Sequence, residues 1–572
     1  MFLISWNVAG WGSTARLIRS DFGTIAEFLR HTQADIVCLQ EVKGSWQKLK
    51  DEPYAMGAGD GRPVSVEGWE SFWSFSGRGQ RGFNGVATFA RKGLTWWCDS
   101  RPFIEADDKE GNSSPDASDK KTSTVEELHD EGRVLVTGHS AFVLVNTYVV
   151  NGRNSQRMAF KMRFLSCLKS LLARLKKENG KPVILVGDLN ITFRAEDSHW
   201  SQRRLGFPSF MRLVHLARSL SNDEWKQSYP YIGQDTVCHL EGYIAEQTLQ
   251  FLVDESDDPH PNDGRCARVD NLFSGLTKEC KTTVTIDGNH LLQELVQKGR
   301  ELKYHQNKGS GARVTLSELC EAGVTSVFAS TLLRMQQTNH NRDIFVLVQY
   351  CGLPSHDEAG VEFMKELLVD LNLRDTMLVG LTPEALNDVC PCPYTCWDQS
   401  KNKRVVNEGN RIDYILIDAS LAPKLAPCRD TENNVVRTLS EGIGHAGEDN
   451  GKKVVVDGCE NTSSPFFSEF DGASHLLGVQ RTAGHGAYPA AAMDGTGLPP
   501  LKKEARDLQF RGLPSTGLFV TPPQYSDHCG VCAYFPDLLL EPRPAKVKEI
   551  HPCLYRLPAS LESFFQKRPR SE

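Results

Sequence analysis

What the sequence lacks narrows its class first. No apolar run in the 572 residues approaches the roughly 18 that a membrane span needs. The first residues, Met1-Phe2-Leu3-Ile4-Ser5-Trp6-Asn7, carry no basic stretch, so no secretory signal is expected. The sixteen cysteines show no disulfide-scaffold spacing, which fits a reducing compartment. Cys529 and Cys532 form a CxxC without a second copy, and Cys390, Cys392 and Cys396 cluster without a His pair at zinc-finger spacing. Both groups therefore read as structural thiols rather than as a zinc site. No internal repeat is found. A strong charge of one sign is also missing. Lys+Arg is 65 and Asp+Glu is 72, for a net −7. Residues 107–131 hold nine acids against three bases, which leaves the rest of the chain at −1 and able to carry a basic face. With 40% hydrophobic and 24% charged residues the chain can bury a sizeable core.

What is present is a mixture of buried strands and amphipathic helices. Length alone suggests about four domains at roughly 150 residues each. Phe2–Val8, Asp35–Gln40, Asn84–Ala90, Ala141–Asn146 and Lys181–Gly187 read as strands. Asp21–Thr32 and Gln156–Lys176 read as helices, the second with Phe160, Phe164, Leu168, Leu171 and Leu175 at helical spacing. Sheets covered on one face by helices are expected. Residues 105–131 read as a solvated acidic loop, and 425–520 as a Gly/Ser/Asn/Pro-rich flexible insertion. Residues 201–362 contain helical patterns at Leu291–Leu302 and Leu316–Met335 and a strand-like Ile344–Val348. A structureless loop of that length is improbable in a compact domain, so this stretch reads as a partly folded insertion. The expected organisation is a main body over 1–200, 363–424 and 521–540, with a tail over 541–572.

Apolar strands repeatedly end in, or contain, acids and amides: Asn7, Glu41, Asp188 with Asn190, Asp413, and Asp527 with His528. If those ends converge, they form a cluster of hard oxygen ligands beside a histidine. Such a cluster suits Mg²⁺ or Mn²⁺ and phosphoester chemistry.

The stretches Ile4–Val8, Leu39–Lys43, Gly82–Val86, Glu131–Arg133, Asn146–Gly152, Gly187–Asn190, Arg411–Tyr414 and Ser526–Cys529, in that order and spacing, resemble the exonuclease III-like AP endonucleases. Phe160-Lys-Met-Arg-Phe164, Cys396 and Asn410 resemble the second eukaryotic type of that family (AP endonuclease 2). The major type has aromatic residues at the last two positions, which help to wall the pocket for a flipped-out abasic sugar. The resemblance implies a four-layer α/β sandwich, the deoxyribonuclease I-like fold of endonucleases, exonucleases and phosphatases. It covers roughly 1–200, 370–425 and 525–536.

The resemblance also implies roles. Glu41 and Asp527 would bind the divalent metal, with Asn7 supporting them. Asp188 would activate water that Asn190 positions. His528, oriented by Asp413, would donate to the phosphate, and Asp188, Asn190 and His528 would border the metal. Tyr148 and Asn151 would contact the scissile phosphate, and Cys396 and Trp397 would border the substrate. Ala9 departs from the family's usual Asp or Asn, and Phe193 from a common His. His199, Arg157, Lys161 and Arg163 lie near the motifs as further candidates. The tail residues Leu561, Phe564 and Phe565 resemble the plug of sliding-clamp (PCNA) binding peptides, although Pro558 replaces the usual Gln. Lys567–Arg570 is a short basic run.

The expectation is a monomeric, Mg²⁺-dependent (or Mn²⁺-dependent) DNA repair nuclease acting on double-stranded DNA with abasic sites or damaged 3′ ends. It would be nuclear, with an organellar pool left open, and would not associate with membranes. Exonuclease and 3′-phosphodiesterase activity would exceed abasic-site incision. The alternatives are another phosphoesterase of the same fold and a non-catalytic clamp-binding adaptor.

Overall fold

The computed structural model describes residues 1–45, 68–77, 82–104, 124–152, 155–256, 290–305, 314–334, 341–354, 358–379, 394–404, 407–426, 516–519 and 521–544. Two six-stranded sheets face one another. The first runs β16 (Gly517–Phe519), β17 (Gly530–Tyr534), β1 (Phe2–Asn7), β2 (Ile36–Gln40), β4 (Val86–Arg91), β3 (Trp69–Ser74). The second runs β12 (Leu373–Asp375), β15 (Asp413–Asp418), β8 (Val183–Asp188), β7 (Val143–Tyr148), β6 (Val134–Gly138), β5 (Trp97–Asp99). Only β1–β2 and β7–β8 pair in parallel among these strands.

The strands read as continuous apolar runs because both of their faces are covered. One face of each sheet looks inward, where Leu3, Ile36 and Cys38 meet Leu144, Ile184, Val186, Ile415 and Ile417. Their neighbours in sequence look outward. Ile4, Trp6, Val37 and Leu39 pack beneath the helices Trp11–Phe22 and Ile25–Thr32. Val145, Val183, Leu185 and Leu416 pack beneath Ser155–Asn179 and Glu358–Val369. The result is the helix–sheet–sheet–helix sandwich expected from the sequence. Each large apolar side chain removed from water contributes about 1.5–3 kcal/mol before conformational entropy is counted.

Several local expectations change. The helix expected over Asp21–Thr32 is two helices, broken at Gly23 with φ +80°. Within the stretch read as an acidic loop, Val125–His129 is a helix opened by a Thr124–Glu127 capping box, and 105–123 lie outside the described residues. Leu316–Met335 is not one helix. Gly323, at φ +95°, ends the helix Leu316–Glu321, and a strand β10 (Ser326–Phe328) precedes the helix Ala329–Arg334. Ile344–Val348 is not a strand but lies inside the helix Asn341–Cys351. That helix is buried on every side at this point, so its apolar run carries no helical period.

The inserted stretch has its own core. A short sheet of β10, β9 (Arg204–Gly206) and β11 (Gly352–Leu353) packs with the helices Phe207–Ser219, Gln234–Ser256, His290–His305 and Asn341–Cys351. The helix Glu358–Val369 belongs instead to the main sandwich, so the insertion's core ends before residue 362. No described helix is long and apolar enough to cross a membrane.

Candidate active site

Strand register brings the candidate residues to one end of the sandwich. In the second sheet Tyr148 pairs with Asp188, and Asp188 with Asp413, so the three form one row across β7, β8 and β15. In the first sheet Asn7 closes β1 and Glu41 follows β2. His528 precedes β17, which pairs with β1. Gly187 is required just before Asp188. A Cβ there would lie 1.8 Å from the Thr147 carbonyl oxygen. Glu41 and Asn190 adopt left-handed backbone, at φ 54° and 48°. This costs each on the order of 1 kcal/mol.

The polar groups interlock. Asn7 Nδ2 donates to Glu41 Oε2 at 3.2 Å and to Asp188 Oδ2 at 2.9 Å, while its Oδ1 accepts from Ala9 N–H. Asn7 therefore clamps the two carboxylates together through its amide nitrogen. The backbone N–H of Asn190 donates to Asp188 Oδ1 at 2.8 Å, and its side-chain amide donates to the Val149 carbonyl. Glu41 Oε1 pairs with Lys43 Nζ at 2.8 Å. His528 Nδ1 lies 2.8 Å from Asp413 Oδ2, and Nε2 lies 3.9 Å from Asp527 Oδ1.

The electrostatics follow from burial. Asp188 is fully enclosed, and burial followed by the Asp413 charge pushes its carboxyl up to about 7, against the pull of His528, Asn190 and Asn7. Burial pulls the His528 imidazole down, but Cys396 and Asp413 outweigh it and hold the ring well above its usual value. Burial, then Glu41 and Asp188, push the Tyr148 phenol up, so it remains a hydrogen-bond donor.

Some of the other candidates sit away from their expected roles. Trp397 is buried, with its indole N–H donated to Asn407 and Arg404 stacked over its ring, so it backs the pocket rather than lining it. Cys396 is half-buried and faces Asn410 across the hairpin of β13 (Cys396–Trp397) and β14 (Gly409–Asn410). Asn151 is exposed three residues beyond Tyr148. Arg157 is held by Glu131, and Lys161 is buried, with Nζ 3.4 Å from the Asn190 carbonyl, so neither is a free phosphate contact. His199 caps the 3₁₀ turn Trp200–Gln202, and burial with Arg203 and Lys403 lowers it to about 3. That is a structural histidine. Cys529 and Cys532 are buried, the first against Arg404 and the second against the Gly517 carbonyl. Leu561, Phe564 and Phe565 lie outside the described residues.

The sequence reading assigned no role to the support behind this row. Arg411 is fully buried between Asp197 (2.9 Å) and Asp375 (2.6 Å). Burial alone would raise Asp197, but Arg411 and Arg194 hold it below the usual carboxylate range. Arg411 lies in the stretch Arg411–Tyr414 that carries the resemblance, whereas Asp375 has no local signal. Between the sheets, Gln40 donates to Asn146, whose amide donates to the Ala87 carbonyl. The insertion also reaches the site. Asn410 Nδ2 donates to Gln202 Oε1 at 2.7 Å, and Trp200 packs edge-on against Phe345 of the insertion's core.

A model of the Endonuclease/Exonuclease/phosphatase family matches residues 4–284. Over that stretch, just under half of its length, the chain is similar to that family. The matched stretch ends within the insertion, although β15, β17, Asp413 and His528 complete the sandwich beyond it. The DNA-(apurinic or apyrimidinic site) endonuclease 2 of Bos taurus is 32% identical over 224 residues, covering 35% of this chain and 40% of that protein. The Exodeoxyribonuclease of Bacillus subtilis is 29% identical over 198 residues, covering 34% of this chain and 61% of that protein. The match thus spans about two-fifths of the endonuclease 2 relative's length. Among solved structures, the Xenopus laevis APE2 catalytic domain aligns over 74% of this chain and 85% of its own, at 18% identity and a TM-score of 0.35.

Proposed function

We propose that the protein is a divalent-metal-dependent DNA repair nuclease that hydrolyses phosphodiesters to leave a 3′-hydroxyl. It acts as a 3′–5′ exonuclease and 3′-phosphodiesterase in base excision repair, with weaker incision at abasic sites. The observation that carries this reading is the convergence of Glu41, Asp188, Asn190, Asp413 and His528 at one end of the sandwich. The relatives' names supply the substrate class.

The donor set fits a hard cation. Asp413 Oδ1 is buried without a hydrogen-bond partner, and ligand atoms of Asp188, Asp413 and His528 lie within 4.8 Å of one another. Glu41 and Asp527 add carboxylates at the rim. Oxygen ligands of this kind suit Mg²⁺, with Mn²⁺ as a substitute. When bound, such a cation neutralises phosphate charge and stabilises the leaving oxygen. The chain's own residues do the rest. Asp188, with its raised basicity, takes a proton from the attacking water that Asn190 positions. His528, held by Asp413, donates to a phosphate oxygen as negative charge builds there. Tyr148 offers its phenol proton from the same row.

The half-buried Cys396 and Asn410 hold an abasic sugar less firmly than aromatic walls would, which favours trimming of 3′ ends. The clamp-like tail and the basic run Lys567–Arg570 support recruitment to a sliding clamp and a nuclear location. Product analysis tests the chemistry. Cut ends should be extendable by a DNA polymerase without further treatment, and ends blocked by 3′-phosphate would contradict the reading.

A further inference from the structure

We propose that Cys396, His528 and Asp527 form a second cation site, for thiophilic divalent ions such as Zn²⁺, at the edge of the hard-cation site. The Cys396 thiol, a His528 ring nitrogen and an Asp527 carboxylate oxygen lie within 4.8 Å of one another. Sequence spacing hid this grouping because Cys396 and His528 are 132 positions apart. The fold joins them by backbone pairing. Trp397 N–H donates to the Asp527 carbonyl at 3.0 Å, Cys529 N–H to the Thr395 carbonyl at 2.7 Å, and Cys396 bridges directly to His528.

The ligand chemistry is that of zinc rather than magnesium. Thiolate sulfur, imidazole nitrogen and carboxylate oxygen are each Zn²⁺ donors, and two ligands on a tetrahedral ion stand about 3.4 Å apart when each lies about 2.1 Å away. His528 Nε2 and Asp527 Oδ1 are already at 3.9 Å. An independent feature supports the assignment. His528 Nδ1 is 2.8 Å from the buried Asp413 carboxylate, which fixes the ring and turns Nε2 toward the group. Zinc-binding histidines are commonly held by a carboxylate in this way. Cys396 and Asp527 are half-buried, so the group is reachable from solvent and leaves a fourth position for water.

The consequence rests on the function proposed above. An ion on His528 Nε2 removes the group that donates to the phosphate, so thiophilic cations inhibit where hard cations activate. Cys396, in place of an aromatic wall, is what makes the protein sensitive.

Cobalt titration of the full chain tests the site without relying on activity. Wild type should develop thiolate-to-Co²⁺ absorption that Zn²⁺ displaces. Cys396→Ser should lose one site's share of that absorption. Asp527→Asn, at a partly exposed position that should not disturb folding, should weaken Co²⁺ affinity by about ten-fold or more. Unchanged absorption and affinity in both variants overturns the proposal. A parallel assay in excess Mg²⁺ follows activity as Zn²⁺ is added, each protein being scaled to its own zinc-free rate. Cys396→Ser should need at least about ten-fold more Zn²⁺ for half inhibition, and equal sensitivity would overturn the inhibitory role. Absence of Mg²⁺-dependent activity in wild type would instead sink the nuclease reading, while the cobalt signal still decides the site.

Discussion

Replacing Asp188 by Asn should stabilise the metal-free protein while disabling it. The carboxyl is 2% exposed and sits beside Asp413 in the strand register. Its ionisation is pushed up to about 7, first by burial and then by that neighbouring charge. An unfolded Asp releases its proton near 4, so between about pH 4 and 7 the folded state holds the extra proton. Stability contributed by this group therefore falls as pH rises through that window. Three pH units at about 1.4 kcal/mol each place the penalty on the order of 4 kcal/mol above pH 7. Asn keeps the shape and can still accept from Asn190 N–H, but it sets an amide against the Asn7 amide, at a cost of about 1–2 kcal/mol. The net gain should be about 2–3 kcal/mol at pH 8 with chelator present, and absent at pH 4. Urea denaturation of both proteins at the two pH values measures it. In excess Mg²⁺ the same variant should lose about 10²–10³ in turnover. A stability difference independent of pH, or wild-type turnover, refutes the reasoning.

Other expectations follow from the same geometry. Asp413→Asn removes a charge-assisted hydrogen bond worth about 1.5–3 kcal/mol, so turnover should fall about 10- to 150-fold. The alkaline limb of its pH–rate profile should move to lower pH, because His528 loses a partner that raises it; an unmoved limb would remove His528 from the donor role. His129 and His139 are each lowered to about 4, chiefly by burial, and each is held neutral by its contacts: His129 Nε2 accepts from Phe103 N–H, and His139 lies between the Leu94 carbonyl and Thr137. The unfolded chain binds these protons first on acidification, so each group costs about 1.4 kcal/mol of stability per pH unit between about 6.5 and 4. His139→Gln should flatten the measured slope by one proton. Cys396→Phe with Asn410→Trp should raise abasic-site incision relative to 3′-end trimming, and an unchanged ratio would place the pocket wall elsewhere. Phe564→Ala with Phe565→Ala should abolish clamp binding but leave clamp-free activity intact, and persistent binding would exclude the tail as the docking segment.

The buried strands were legible because each is covered on both faces, which writes long apolar runs into the sequence, and because acids interrupt those runs at one end; the four-layer arrangement came from the family resemblance. Asp188, Asp413 and Glu41 are visible for that reason. The helix Asn341–Cys351 was misread because burial on all sides erases its period. Asp375 was missed because its partner Arg411 is 36 positions away and Asp375 itself looks like an ordinary surface charge in sequence. Trp397 looked like a pocket wall, yet its N–H and ring are taken up by Asn407 and Arg404 behind it. Cys396 reads as one of a thiol cluster and as a substrate-side residue, with no sign of a ligand role, because its histidine lies 132 positions away, just before β17. Motifs report which residues a site uses; the direction each side chain faces is decided by contacts that have no local signature.

The most direct test of the account uses purified full-length protein on DNA duplexes bearing an abasic site, a recessed 3′ end, or a 3′-phosphoglycolate, with Mg²⁺ or with chelator, beside Glu41→Gln. Glu41 shares the Asn7 amide with Asp188, so its charge belongs to the same cluster. The account predicts Mg²⁺-dependent removal of 3′ ends and blocks, slower abasic-site incision, and loss of about 10²–10³ in rate for Glu41→Gln. Cleavage that survives the chelator, or Glu41→Gln at wild-type rate, would contradict it.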